Sequence, residues 1–145
     1  MKKAVLVLLV LISMNSYSQN AAVQETIITF FEGFHAQDSI KIKSVCNANM
    51  ILQSIAATKE GNKLTTDEVS KFIKSIVTIP ANIKFEEKIL SYNIQIDGAM
   101  AHAWTPYEFY VNGKLSHSGV NAFTLFKEQE KWKIVHVIDT RRKSL

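Results

Sequence analysis

The chain has 145 residues, with 17 Lys and Arg against 13 Asp and Glu, which is a formal net charge of +4. That length suits one domain of ordinary size. The basic residues are scattered except at Arg141–Lys143, so the clustered cationic surface of a nucleic-acid-binding protein is not predicted. The single cysteine, Cys46, excludes an internal disulfide, and we expect it to be a small buried apolar side chain.

The first 18 residues have the pattern of a secretory signal peptide. Two lysines precede a compact apolar run, Ala4–Ile12, and small residues at Ser16 and Ser18 are placed for cleavage before Gln19. The run is about half of the ~20 residues needed to span a bilayer, so no stable membrane span is expected after cleavage. We therefore predict a signal peptide at 1–18, a single domain at 19–145 and a secreted or periplasmic location.

The first part of the mature chain is predicted to be helical. Five apolar residues share one face of a helix from about 21 to 36: Val23, Ile27, Phe30, Phe31 and Phe34. Asp38 can cap a second, short helix that runs to about Val45, although the alternation of Ile40 and Ile42 leaves a strand open there.

A small hairpin and a third helix follow. The hairpin is predicted from residues 50–58 and 63–65 around Glu60-Gly61-Asn62. Thr65 and Glu68 have the spacing of a capping box, and the apolar stripe after them predicts a helix that ends before Pro80.

The last third predicts four long antiparallel strands, at 83–97, 99–112, 114–127 and 131–142. The connections are Asp97-Gly98, Asn112-Gly113 and Gln129-Glu130. The first two dipeptides favour type I′ turns, which fix the register between neighbouring strands. We expect a curved antiparallel sheet.

An unbroken register from these turns predicts which side chains share a face. Ala103, Ala122 and Val137 become neighbours, with Tyr92 beside them, on the face that the helices cover. This face forms an apolar floor.

Toward the far end of the strands the same face becomes a polar rim of Tyr107, Ser118, Asp139 and Arg141. Apolar walls with a few converging polar groups are typical of a small-molecule pocket. The alternative is that Asp139 and Arg141 are only an i, i+2 ion pair at a strand end. Pro106 interrupts the ladder, so the register at Tyr107 can slip by one residue.

The opposite face carries a large apolar patch, which predicts a partner surface and a homodimer. Its members are Trp104, Phe123, Trp132, Ile134 and Ile138. His102, His117 and His136 are predicted on this face too, and the sequence assigns them no role. His102 and His136 are about 10 Å apart by strand spacing, too far for one zinc ion. We predict no metal site and no cofactor.

The order of elements, closing on the segment KWKIVHVIDTRR at 131–142, resembles the nuclear transport factor 2-like superfamily, in its SnoaL-like and ketosteroid-isomerase-like branch. The resemblance covers about 21–143 and suggests a small exported member. It implies an α+β fold: a cone-shaped, strongly curved antiparallel sheet packed on three N-terminal helices. It also implies a pocket on the concave face and a dimer through the convex face.

The activity of that branch does not transfer to these residues. Its isomerases use a carboxylate base where this chain has Gln53 and Ser54, and an acidic oxyanion partner that would fall near Ala122. Without those acids, proton abstraction beside a carbonyl lacks its base.

We therefore predict an exported domain that binds a small, apolar or mixed-polarity molecule with one anionic or carbonyl group, anchored by Arg141. The predicted ligand-binding residues are Phe34, His35, Tyr92, Tyr107, Ser118, Asp139 and Arg141. One alternative is a hydrolase, isomerase or cyclase with Asp139 as base and Tyr107 as proton donor. Another is a protein-association module that uses the face of Trp104 and Trp132.

Overall fold

The computed structural model describes the backbone of residues 2–143 and the side chains of residues 18–143. It contains three helices and seven strands within that range. They are α1 Lys2–His35, α2 Ser39–Val45, β1 Cys46–Thr58, β2 Gly61–Glu68, α3 Val69–Val77, β3 Phe85–Ile89, β4 Asn93–Asp97, β5 Met100–Val111, β6 Lys114–Glu128 and β7 Lys131–Lys143.

The long helix α1 contains the helix predicted for 21–36 as its second half. Its predicted apolar stripe is buried: Val23, Ile27, Phe30, Phe31 and Phe34. The side chains of the predicted signal peptide lie outside the described residues, except for that of Ser18, so cleavage stays a prediction. Among the described residues, no helix is long and apolar enough to cross a membrane.

Helix α2 begins with the cap predicted from the sequence. Oδ1 of Asp38 accepts hydrogen bonds from the backbone N–H groups of Ile40 and Lys41, at 2.9 and 3.0 Å. Ile42 is buried whereas Ile40 is 80% exposed, so the segment has one buried helical face. The strand alternative for this segment is wrong.

The capping box predicted for α3 does not form. Thr65 and Glu68 belong to β2, where they pair with Ser54 and Ile51 of β1. Glu68 is the N-cap of α3 but its side chain makes no capping hydrogen bond. The strand pairing holds both residues in extended backbone, where the capping geometry cannot be reached.

The sheet has the strand order β2-β1-β7-β6-β5-β3, and β4 pairs with the other end of β5. All ladders are antiparallel except β1–β7, which is parallel. The strand predicted at 83–97 is therefore two strands that share one partner. The predicted fold class is confirmed: an α+β domain with three helices and a curved, open, mostly antiparallel sheet.

Two one-residue bulges interrupt the register predicted for the long strands. Between β5 and β6 the predicted pairing extends from the turn to Tyr110–Leu115. Ser116 is then an extra residue, and the next pair is Phe109–His117. The bulge turns the rest of β6 over, because a shift of one residue exchanges the two faces of a strand.

The second bulge lies between β6 and β7. Leu125 pairs with Ile134 as predicted, but the next pair is Thr124–His136, which leaves Val135 as the extra residue. From Val137 to the end of β7, the residues that face inward are the ones that were predicted to do so. The first hairpin also differs, since its turn is Gly98-Ala99, one residue later than expected.

These shifts correct the predicted faces. Phe123 pairs with Ala103 and Val137 on the side of the helices and is completely buried, whereas Ala122 lies on the outer face. Of the predicted dimer patch, Phe123, Trp132 and Ile134 belong to the core, so their assignment to an exposed surface is wrong.

Candidate functional site

A cavity of 360 Å³ lies on the concave side of the sheet, beneath α1 and α3. One part of its wall is apolar and is made by Phe30, Phe31, Phe34, Leu52, Phe72, Ile76, Phe109 and Val137. The other part is polar and is made by Gln53, Ser54, Asp67, Ser75, Glu87, Tyr107, His117, Asn121, Asp139 and Arg141. These two sets of lining residues are called the apolar end and the polar end below, although they meet where His117 stacks on Phe109.

The apolar end is built from aromatic rings of two helices and the sheet. The ring of Phe72, from α3, stacks on those of Phe30 and Phe34 from α1, with centroid distances of 6.0 and 6.1 Å. Phe34 also meets Phe85 and Phe109 of the sheet. Packed aromatic rings give this end a fixed shape and large apolar faces.

Tyr107 projects from β5 into the polar end. Its hydroxyl lies 2.9 Å from the carbonyl oxygen of Thr140 and 3.2 Å from Oδ2 of Asp139, and its one hydrogen can be donated to only one of them at a time. Burial, and then the nearby Asp139 carboxylate, raise the pKa of Tyr107 well above its usual value. Tyr107 is therefore a protonated donor at all moderate pH values.

Asp139 is the centre of a hydrogen-bonded group that joins β7 to β1. Ser54, its neighbour in the parallel ladder, donates to Oδ1. Nε of Arg141 donates to Oδ2 at 2.9 Å, and Nη2 of Arg141 donates to the Ser54 hydroxyl at 3.0 Å. The predicted i, i+2 ion pair therefore exists and also lines the cavity. Both carboxylate oxygens accept hydrogen bonds, which fix the position of the Asp139 side chain in the wall of the cavity.

Glu87 is a second carboxyl group at the polar end, and the sequence analysis missed it. The side-chain amide of Asn121 donates to its Oε1 at 2.7 Å, and the backbone N–H of Glu87 donates to Nε2 of His35 at 2.9 Å. Burial raises the pKa of Glu87 to about 7; the hydrogen bond from Asn121 opposes this shift and the charge of Asp139 adds to it. This carboxyl group changes its charge near neutral pH.

Glu87 lies in an alternating pattern in β3. Phe85, Glu87 and Ile89 are partly buried, and the residues between them are exposed. This alternation was the signal in the sequence. No tight turn connects β3 to a neighbouring strand, so its inward face could not be assigned from the turns.

His117 also faces the cavity, because the bulge at Ser116 turns it inward. Its ring stacks on Phe109, with centroids 4.9 Å apart, and meets the edge of Tyr107 at 5.8 Å. Burial, and then the charge of Arg141, lower the pKa of His117, so the imidazole is mainly neutral at pH 7.

Four of the seven predicted ligand-binding residues line the cavity: Phe34, Tyr107, Asp139 and Arg141. They lie on α1, on β5 and on the part of β7 beyond Val135, where the inward faces were assigned correctly.

Three predicted residues lie elsewhere. Ser118 pairs with Glu108 and Arg142 on the outer face, because the bulge in β6 turned it over. Tyr92 lies between β3 and β4 and packs against the core. His35 accepts the backbone hydrogen bond of Glu87 and so positions β3 beside the cavity.

The described side chains contain no group of three or more His, Cys, Asp and Glu that could hold a metal ion. Cys46 is buried, and burial raises its pKa to about 12. A thiol of that kind is a poor nucleophile at neutral pH.

No protein-family model and no curated protein sequence matches the chain. Similar solved structures include an NTF2-like protein of unknown function from Shewanella baltica, with 18% identity, a TM-score of 0.63 and coverage of 88% of this chain and 97% of that one. One from Silicibacter pomeroyi has 15% identity and a TM-score of 0.64, with 88% and 98% covered. A proposed dehydratase of the NTF2-like family from Streptomyces avermitilis has 12% identity and a TM-score of 0.68, with 89% and 99% covered.

The chain therefore has the nuclear transport factor 2-like fold, which confirms the fold that the resemblance implied. At these identities the similarity establishes the fold alone, and the function has to be argued from the cavity.

Proposed function

We propose that the protein binds a small molecule in the concave cavity, with a ring-bearing apolar body against the phenylalanines and one polar group at the opposite end. The observation that carries this proposal is that a cluster of phenylalanines and a hydrogen-bonded polar group share the wall of one 360 Å³ cavity. Ligand sites in proteins have this volume and this composition.

The polar end supports recognition of a hydrogen-bonding group. Arg141 has five N–H groups, of which one donates to Asp139 and one to Ser54, so three remain for a ligand. The carboxylate of Asp139 neutralises the charge of the Arg141 guanidinium, with Oδ2 of Asp139 lying 2.9 Å from Nε of Arg141. This compensation weakens the case for an anionic ligand, which needs an unpaired cation.

The same contacts give Asp139 a role in binding, because it holds Ser54 and Arg141 in place at the wall of the cavity. The alternative of a protein-association module required Trp132 on an exposed face. Trp132 is only 5% exposed, so it does not support that alternative.

The proposal is tested by blocking the cavity. Native mass spectrometry of the purified protein should detect a retained small molecule. Ser75, on an exposed part of α3, lines the cavity, so Ser75→Trp should fill the space without crowding the core and should abolish retention. Lys74→Trp adds the same side chain next to it, outside the cavity, and should retain the molecule. Equal retention by both variants would place the binding site elsewhere.

A further inference from the structure

The side chains that line the cavity carry an excess of negative charge. Three carboxyl groups, those of Asp67, Glu87 and Asp139, face one guanidinium, that of Arg141. His117 adds no positive charge at neutral pH, because burial and Arg141 lower its pKa. Asp139 and Arg141 pair with each other, so the remaining carboxyl groups are those of Glu87 on β3 and Asp67 on β2, which line the cavity from opposite edges of the sheet.

Glu87 presents an acceptor that the protein does not use. Its Oε1 accepts a hydrogen bond from Asn121, a residue that is 5% exposed and is itself fixed between β5 and β7. Within residues 18–143, Oε2 of Glu87 accepts no hydrogen bond. The backbone of Glu87 is held by the ladder with Phe109 and by His35, so the carboxyl group is positioned before a ligand arrives.

The apolar end fits the uncharged body of a ligand. Five phenylalanines line the cavity, and aromatic rings pack well against other rings. The charge of a ligand is therefore set by the groups of the polar end.

We propose that the ligand is a primary or secondary amine on a ring-bearing body, with its ammonium group bound by the carboxylate of Glu87. This inference rests on the proposed binding function of the cavity and specifies the class of ligand. The ammonium N–H groups donate to Oε2, and the ring lies against the phenylalanines.

Binding of such a ligand is coupled to a proton. Because Glu87 without a ligand has a pKa of about 7, it is half protonated at neutral pH, and an ammonium group beside it favours the ionised form. The proton is then released on binding. The charged and titratable groups around Glu87 are Asp139, Arg141, Tyr107, His117 and His35, and Asp67 lines the same cavity from β2. Burial lowers the pKa of both histidines and raises that of Tyr107, so these shifts move all three away from pH 7 to 8, whereas the pKa of Glu87 is about 7.

The test compares three probes that share an indole ring and a two-carbon arm: tryptamine, tryptophol and indole-3-propionate. Calorimetry with the full chain at pH 8 should show tryptamine binding most tightly and indole-3-propionate most weakly. Tryptamine should bind about tenfold more weakly at pH 6 than at pH 8, the ratio of ionised fractions for a group that titrates at pH 7. Buffers of different ionisation enthalpy should show release of about half a proton per tryptamine at pH 7.

A matched pair of variants assigns the effect to one carboxyl group. Glu87→Gln keeps an oxygen for the hydrogen bond from Asn121, so it should fold, but it should lose the pH dependence and the proton release. The Glu87→Gln variant should bind tryptamine no more tightly than it binds tryptophol. Glu86→Gln, on the exposed face of the same strand, should behave as the unmodified protein.

Three results would overturn the inference. If tryptophol binds as tightly as tryptamine and no proton is released, the cavity binds ring-bearing molecules but does not select amines, and the proposed function stands alone. If indole-3-propionate binds most tightly, Arg141 is the anchor. If none of the three probes binds, the amine inference is wrong, and retention of a ligand in native mass spectrometry decides the proposed function separately.

Discussion

Gly119 of β6 leaves the space that the ring of Tyr107 occupies. The two residues are paired across the β5–β6 ladder, and a Cβ atom at Gly119 would lie 2.7 and 2.8 Å from Cε1 and Oη of Tyr107. The same atom would collide with the carbonyl oxygen of Thr140. The absence of a side chain lets the Tyr107 hydroxyl reach both Thr140 and Asp139.

Gly119→Ala should therefore destabilise the domain and displace Tyr107 from the cavity. The added methyl group meets backbone as well as a ring, so we expect a loss of about 1–3 kcal/mol in the free energy of unfolding, the usual cost of overpacking. Urea denaturation measures it. Ser118→Ala, next to it on the outer face, should change stability by less than about 0.5 kcal/mol. Equal stability of the two variants would show that the strand moves freely to accept the methyl group.

The parts of the fold that depend on local sequence were predictable. The spacing of Val23, Ile27 and Phe30 identified α1, and Asp38 identified the start of α2. The turn at Asn112-Gly113 takes the positive φ angles, 50° and 75°, that this dipeptide favours.

The bulges were not predictable, and the errors in the site follow from them. Neither Ser116 nor Val135 is a glycine, the residue type that marks one common kind of bulge, so the extra residue of each strand could not be placed from the sequence. Each bulge exchanges the faces of the residues beyond it. His117 was consequently predicted outside the cavity that it lines, and Ser118 inside the cavity that it does not reach.

Asp139→Asn should change the charge that the cavity prefers. The substitution removes the partner of Arg141 and leaves the guanidinium uncompensated, so indole-3-propionate should bind more tightly and tryptamine more weakly than before. The hydrogen bonds of a charged group contribute about 1.5–3 kcal/mol, which corresponds to at least a tenfold change in relative affinity. Calorimetry with the two probes measures it. Asp97→Asn, before the first hairpin turn, is the control, and an unchanged preference would show that Arg141 does not face the ligand.

Export remains a prediction from the sequence. Cleavage after Ser18 should give a mature protein that begins at Gln19 and lies outside the inner membrane. N-terminal sequencing of the protein from fractionated cells measures both. A membrane-bound protein that still begins at Met1 would contradict the prediction.

The predicted homodimer depends on a smaller patch than the sequence suggested. Trp104 is 50% exposed and is paired with Ala122, which pairs in turn with Ile138, so these three form a row on the convex face. We propose this row as the centre of the dimer interface. Trp104→Lys should give a monomer in sedimentation velocity experiments, whereas Leu64→Lys, on the exposed strand β2, should leave the dimer intact.

Two results would contradict the dimer. If the unmodified protein is monomeric at tens of micromolar, its dissociation constant is higher than that concentration and a stable dimer is excluded. A dimer that survives Trp104→Lys would place the interface elsewhere.

The charge of Glu87 should make the stability of the domain depend on pH. Its folded-state pKa of about 7 lies above the value near 4.3 of an unfolded chain, so the folded state binds the proton more tightly. The resulting stabilisation is fully present below about pH 4.3 and is lost as the pH rises through 7. Because solvent reaches part of the residue, we expect a loss of about 2 kcal/mol.

The variant Glu87→Gln tests this pH dependence, because its side chain does not ionise. From pH 5 to pH 8, the unfolding free energy of the variant should rise relative to that of the unmodified protein. Chemical denaturation across that range measures it, and a difference that does not change with pH would show that Glu87 is ionised throughout.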